Sequence, residues 1–213
     1  FAGLKVPVLR ELPAPLNRTW APTDVAALLE RPSLFAQLPI DHSLAPGFLT
    51  GGSDAADARL KFFINEGLAQ YETARNEPEV DGTSRFSPYL HFGHLSTHQI
   101  FRAIAKAEKW SPEVLGKSIG GSKAGWWHLS SSAESFIDEL VTWRELAFNL
   151  MSLRPDPNAT LSTFPAWITQ THRAHANDPR PYLYTREQLE HGETHDRLWN
   201  ATQMQMVREG WFH

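Results

Sequence analysis

The chain has 213 residues, of which 41% are hydrophobic and 21% are charged, so it can bury a core and has a globular composition. Its formal net charge of −4 argues against a nucleic-acid binder that works by general basicity, so any DNA contact must come from a local patch. The absence of Cys excludes disulfides and thiolate metal sites and fits a reducing, cytoplasmic compartment. No apolar run reaches the roughly 18 residues that a membrane span needs.

The N-terminal part, residues 1–50, is rich in Pro and predicts an extended arm with one short helix at roughly 23–30. A long helix follows, and Ser53 is its expected N-cap. Its predicted buried face consists of apolar residues at helical spacing: Ala56, Leu60, Phe63, Leu68 and Tyr71. We assign residues 51–213 to a single helical domain.

Local signals place the other helices of this domain. Two capping boxes are present, one at Ser96 and Gln99 and one at Thr185 and Gln188. A Gly/Ser-rich stretch predicts a flexible insertion at 116–132. Further helices are predicted at about 133–152, 163–175, 185–192 and 196–209, with Gly210 as the final stop signal. Because no alternating strand pattern appears, the predicted fold class is all-α, a helical bundle.

The segment from Gly82 to Gly93 combines phosphate-binding side chains with a helix start. Ser87 is the expected N-cap, and Pro88 suits the first turn because its missing N–H is not needed there. Helix N-termini attract anions, and the donors nearby are three hydroxyls and one guanidinium: Thr83, Ser84, Ser87 and Arg85. The alternative is an ordinary capped turn.

A second candidate site lies in the predicted helix 133–152. Glu139 and Trp143 are four residues apart and therefore share a helix face. A carboxylate beside a flat ring can hold a nucleobase, because the ring stacks and the carboxylate accepts hydrogens from the base edge. The alternative is a core Trp beside a surface Glu.

Two other kinds of chemistry find no support. Several His are spaced by three or four residues, but neither Cys nor a His-Glu-x-x-His motif accompanies them, and we predict no metal site. The Ser cluster at 130–132 has no base partner in the sequence, so nucleophilic catalysis is not expected.

The phosphate-type segment resembles the flavin-pyrophosphate loop of DNA photolyases and cryptochromes, with Phe86 where Leu is usual. This resemblance implies a helical FAD-binding domain and assigns the cofactor contacts to Tyr71, Thr83, Ser84, Arg85, Phe86 and Ser87. The pattern Glu-x-x-x-Trp-Arg-Glu that begins at Glu139 is similar to the photolyase substrate helix, which implies that Glu139 and Trp143 meet the damaged pyrimidine pair.

Two more positions follow from the same resemblance. Asn76 looks like a further substrate contact, and the segment 195–203 (HDRLWNATQ) resembles class II cyclobutane-dimer photolyases. There Trp199 matches a member of the tryptophan chain that relays electrons to the flavin. Without the resemblance, Tyr71 is a packing residue, Asn76 a turn residue and Trp199 a core residue.

The resemblance implies a carbon–carbon lyase that repairs cyclobutane pyrimidine dimers in UV-damaged DNA by light-driven electron transfer from reduced FAD. It also implies an antenna domain before residue 1 and flavin-closing segments after residue 213. We therefore expect this chain alone to bind FAD weakly or not at all, not to repair DNA, and to expose apolar surface that favours dimerisation. The alternatives are a cryptochrome-like photoreceptor and a helical remnant that has lost flavin.

Overall fold

The structure is a computed structural model that describes residues 24–31, 36–44, 47–117, 125–153 and 164–210. In these ranges the chain forms helices and no strands, which confirms the predicted all-α class. It divides into two compact units, one of which is Thr50–Asn177, while the other combines described residues up to Leu49 with those from Asp178 onward. Most of the predicted arm, including residues 1–23, lies outside the described residues. The assignment of 51–213 to a single domain stays a prediction.

The helices are short, and two of them are extended by turns of different pitch. In chain order they are α1 (Val25–Glu30), α2 (Ser53–Phe62), α3 (Tyr71–Ala74), α4 (Ser87–His91), α5 (Thr97–Ala107), α6 (Ser131–Ile137), α7 (Arg144–Leu153), α8 (Ala166–Ala174), α9 (Arg186–Glu190) and α10 (Arg197–Glu209). A π-helical turn and a 3₁₀ turn join α2 to α3, at Phe63–Gly67 and Leu68–Gln70. A π-helical segment, Asp138–Trp143, joins α6 to α7.

The rod from α2 to α3 buries the predicted apolar face, since all five of its residues are at most 8% exposed. Phe63 and Leu68 are five residues apart, which is more than one α-helical turn. The π-helical turn between them closes hydrogen bonds over five residues and so keeps both side chains facing inward. The prediction that Ser53 is the N-cap is wrong: Gly52 occupies that position at φ 95°, and Ser53 is the first helical residue.

The core of the first unit is built on four aromatic rings that meet where the α2–α3 rod faces α6. Phe63 lies 4.8 Å from Phe136, 5.1 Å from Phe86 and 5.9 Å from Tyr71, measured between ring centroids. Most of these pairs are edge-to-face, the arrangement that aromatic quadrupoles favour. Aliphatic side chains from α5 and α6 complete the core: Ile100, Ile104 and Ile137.

Both predicted capping boxes are confirmed. Ser96 and Gln99 exchange their reciprocal hydrogen bonds at the start of α5, and Thr185 and Gln188 do the same at α9. The predicted stop of α10 is also confirmed, because Gly210 adopts the left-handed conformation at φ 65°. These signals act over one helical turn, so they depend little on the rest of the fold.

The start of α10 depends on one carboxylate. Asp196 Oδ1 accepts hydrogen bonds from the N–H groups of Leu198 and Trp199, at 2.9 and 3.0 Å. We expect Asp196→Ala to lower the free energy of unfolding of the second unit by about 1 kcal/mol, because two amide donors lose their acceptor. Urea denaturation followed by circular dichroism measures this. Gln205→Ala, on the same helix, is the matched control, and an equal loss in both variants would contradict the capping role.

The described ends of the predicted insertion are attached to the core. The Gly116 N–H donates to the carbonyl oxygen of Trp126 at 2.8 Å, and the Trp110 indole donates to that of Trp127 at 2.7 Å. Gly125 N–H donates to the buried carboxylate of Glu134 at 2.6 Å. Because α6 begins at residue 131, the segment is also shorter than predicted. Residues 118–124 lie outside the described residues.

Helix α7 exposes much of its apolar surface. Several of its large hydrophobic side chains are more than 40% exposed: Leu146, Phe148, Leu150, Met151 and Leu153. Such a face is typical of an interaction surface. The expected dimerisation through exposed apolar surface stays a prediction.

Candidate functional site

Arg59, on α2, holds the loop that precedes α4. Its Nε donates to the carbonyl oxygen of Ser84 and its Nη2 to that of Thr83, each at 2.9 Å. Its guanidinium also lies over the Phe62 ring, with Cζ 5.0 Å from the ring centroid. Partial burial lowers the pKa of Arg59, but an arginine remains charged in proteins. Both hydrogen bonds are therefore charge-assisted, and they fix the course of the loop backbone.

The loop itself has an uncommon backbone. Arg85 is left-handed at φ 55°, a region that residues other than Gly rarely adopt. Its Nε donates to Asp81 Oδ1 at 2.8 Å. Ser84 Oγ accepts the Phe86 N–H at 3.4 Å. The prediction that Ser87 caps α4 is wrong, because Phe86 occupies the N-cap position and Ser87 is the first helical residue; Pro88 lies in the first turn as predicted.

Gly82 brings the loop against the end of α3. A Cβ added there would lie 2.3 Å from both the carbonyl carbon and the carbonyl oxygen of Ala74. Backbone atoms cannot move aside as a flexible side chain can, so the loop can approach α3 this closely only with Gly at this position.

We expect Gly82→Ala to lower the free energy of unfolding of the first unit by about 1–3 kcal/mol, because the added methyl group overpacks against the backbone of α3. Urea denaturation followed by tryptophan fluorescence measures the effect. Gly51→Ala is the matched control, since nothing lies within 4 Å of its added Cβ. If the two variants were equally stable, the close approach at Gly82 would be disproved.

Arg75, at the end of α3, connects two predicted site residues. Its Nη1 forms an ion pair with Glu139 Oε1 at 2.7 Å, and its Cζ lies 5.5 Å from the centroid of the Tyr71 ring. The hydrogen bond to Glu139, and to a smaller extent the one to Tyr71, raises the pKa of Arg75. Burial raises the pKa of the Tyr71 hydroxyl. Arg75 Nε is buried and has no hydrogen-bond partner among the described residues. One guanidinium thus joins Tyr71 to Glu139.

Glu139 and Trp143 lie in the π-helical segment between α6 and α7. Both are exposed: the Glu139 side chain by 44% and Trp143 by 58%. The Trp143 indole N–H donates to Asp138 Oδ2 at 3.2 Å, which anchors the ring at one edge and leaves most of it in solvent. The alternative of a core Trp at 143 is therefore wrong. π-Helical segments inside α-helices occur frequently at functional sites.

The remaining predicted site residues lie at three different places in the structure. Asn76 lies in the exposed turn directly after Arg75. Phe86 is 1% exposed and belongs to the aromatic core, and its N–H donates to Ser84 Oγ. Trp199 lies on α10 in the second unit and is 48% exposed, so the alternative of a core residue there is wrong as well. The structure thus brings together Tyr71 and Glu139, and the assigned roles stay predictions.

Sequence reasoning missed Arg59 and Arg75. Arg75 directly precedes Asn76, and a cation next to a predicted substrate contact was the available signal. Arg59 left no such signal, because its partners are backbone carbonyls about 25 positions further along the chain.

The described residues offer neither a metal centre nor a membrane span. Among the described residues, no group of three or more His, Asp or Glu side chains could hold a metal ion. Over the same part of the chain, no helix combines the length and apolar character of a membrane span. The cytoplasmic location stays a prediction.

No family model matches the chain, but several known proteins do. The chain is 38% identical to a deoxyribodipyrimidine photo-lyase of Oryza sativa subsp. japonica over 152 residues, which are 71% of this chain and 26% of that protein. It is 34% identical to the photo-lyase of Potorous tridactylus over 179 residues, 84% of this chain and 30% of that protein. The matched part of the chain belongs to the photolyase/cryptochrome family.

A third relative of this photolyase-related chain is the photo-lyase of Methanothermobacter thermautotrophicus, at 33% identity over 81% of this chain and 33% of that protein. The chain therefore spans about a third or less of the length of these relatives. Its fold is similar to that of a bacterial class III photolyase from Agrobacterium tumefaciens, with a TM-score of 0.59 and 21% identity. That similarity covers 85% of this chain and 33% of the photolyase, and it supports the fold alone.

Proposed function

We propose that the protein containing this chain repairs cyclobutane pyrimidine dimers in UV-damaged DNA with reduced FAD, as a class II photolyase. The observation that carries this proposal is the junction at Arg75. One guanidinium contacts Tyr71, the predicted cofactor residue, and Glu139, the predicted dimer residue. The likeness of residues 195–203 to class II enzymes supports the subclass, and the photo-lyases of rice and Potorous support the reaction.

The donor set of the loop fits a pyrophosphate. The side chains of Thr83, Ser84 and Ser87 supply hydroxyl donors, and Arg85 supplies a guanidinium that can pair with phosphate oxygens. These residues would hold the diphosphate of FAD, and the Phe86 ring would hold the loop on the aromatic core. Tyr71 would assist from the α2–α3 rod. The chemistry supplied by bound reduced FAD is the transfer of one light-excited electron to the dimer, whose ring then opens before the electron returns.

The π-helical segment would bind the lesion. A dimer must leave the base stack to reach an enzyme, and this costs less where stacking and pairing are already damaged. Glu139 would accept hydrogen bonds from the pyrimidine edges, and the ion pair with Arg75 would keep its carboxylate oriented. Trp143 would pack its exposed ring against the dimer. Asn76 would add a polar contact from the neighbouring turn, and Trp199 would relay electrons.

Blue-light repair by the natural protein that contains this chain tests the proposal. The substrate is a duplex oligonucleotide with one cyclobutane thymine dimer, and restored cleavage by a restriction enzyme at the dimer site reports repair. We expect light-dependent repair together with a flavin absorbance band. A flavin band without repair would favour a cryptochrome-like photoreceptor, and the absence of both would favour a helical remnant; either result contradicts the proposal.

A further inference from the structure

We propose that Arg59 is a positioning residue for the cofactor: its guanidinium turns two peptide groups of the loop so that their N–H groups face the phosphates of FAD. This inference rests on the proposed function, because it takes the loop at Thr83–Ser87 as the pyrophosphate site. Arg59 itself would not contact the cofactor.

The orientation follows from the geometry of the peptide group. In a trans peptide, the C=O of one residue and the N–H of the next point in opposite directions. Arg59 binds the carbonyl oxygens of Thr83 and Ser84, each at 2.9 Å. The N–H groups of Ser84 and Arg85 therefore point to the side of the loop away from Arg59.

The next two residues continue this arrangement. Arg85 is left-handed at φ 55°, and Phe86 is right-handed at φ −85° and ψ −16°. Successive residues of opposite hand turn consecutive N–H groups toward one side, which is a backbone arrangement that binds anions, although the Phe86 N–H already donates to Ser84 Oγ at 3.4 Å. The two hydrogen bonds from Arg59 hold the peptide groups immediately before this turn. Without Arg59 these two peptide groups could rotate, and their N–H groups would no longer point to the same side of the loop.

The chemistry of arginine explains why this residue type is needed. A planar guanidinium can bond two neighbouring carbonyl oxygens at once, whereas a lysine ammonium is a single flexible point charge. The ring of Phe62 under the guanidinium keeps its plane fixed. Because Arg59 is partly buried, water would replace it poorly.

The test uses the natural protein stripped of flavin, with Arg59→Met and Arg59→Lys as variants. FAD and riboflavin, which lacks phosphate, are titrated by flavin fluorescence, and repair is measured at saturating FAD. Arg59→Met should weaken FAD binding at least about tenfold, which corresponds to about 1.4 kcal/mol. Arg59→Lys should weaken it less, while riboflavin binding and the repair rate of the saturated enzyme should stay at parental values. Arg186→Met is the control, because that side chain is 85% exposed and pairs with its helix neighbour Glu190.

Each other outcome overturns the proposal. Parental FAD affinity in Arg59→Met would show that the loop does not need this residue, and the proposed function would stand. An equal loss of FAD and riboflavin affinity would indicate general damage instead of loop positioning. If the unaltered protein binds no FAD, both this inference and the proposed function fail. If Arg59→Met does not fold, the FAD affinity of Arg59→Lys is the test instead. An affinity equal to that of the parent would then overturn the proposal.

Discussion

Glu139→Gln is expected to reduce blue-light repair of thymine dimers about 10- to 100-fold in the natural protein that contains this chain. The amide keeps the shape of the carboxylate but loses its charge, which weakens the hydrogen bonds that the dimer would donate. Hydrogen bonds to charged groups are worth about 1.5–3 kcal/mol, which sets the size of the effect. The ion pair with Arg75 at 2.7 Å would be lost as well, so the side chain would also be less well oriented.

Glu190→Gln is the matched control for this prediction. Glu190 also accepts from an arginine at 2.7 Å, but its partner Arg186 lies four residues before it on α9, in the second unit. Repair by this variant should equal that of the parent, and both variants should keep their flavin band. Parental repair rates in Glu139→Gln would show that this carboxylate does not bind the dimer.

Phe63→Ala should lower the free energy of unfolding of the first unit by about 3–5 kcal/mol, more than Gly82→Ala does. The ring is 1% exposed and lies within 6 Å of the rings of Tyr71, Phe86 and Phe136. Its removal would leave a cavity among three aromatic rings that the rigid rod cannot close. Urea denaturation followed by tryptophan fluorescence measures the loss.

Phe62→Ala is the neighbouring control, because the Phe62 ring is 53% exposed. It should cost less than about 1 kcal/mol, since the ring contributes little more than its contact with the guanidinium of Arg59. Equal losses in the two variants would mean that the core is not centred on Phe63.

The sequence alone determined the parts of this protein that depend on neighbours along the chain. The capping boxes at Ser96 and Thr185 and the stop at Gly210 were predictable, because each acts within one helical turn. The apolar face of the α2–α3 rod was also predictable, because hydrophobic spacing records which side is buried. The resemblance of the loop and of the Glu139 helix to photolyases pointed to the family that comparison with known proteins supports.

Only the tertiary structure decided which side chains meet. No periodicity shows that Arg59 binds carbonyl groups about 25 residues away, or that Arg75 bridges Tyr71 and Glu139. The N-cap positions at Ser53 and Ser87 were mispredicted by one residue, because a serine before a helical pattern fits either the cap or the first turn. Contacts between distant segments depend on how the helices pack, and local residue patterns hold no record of that packing.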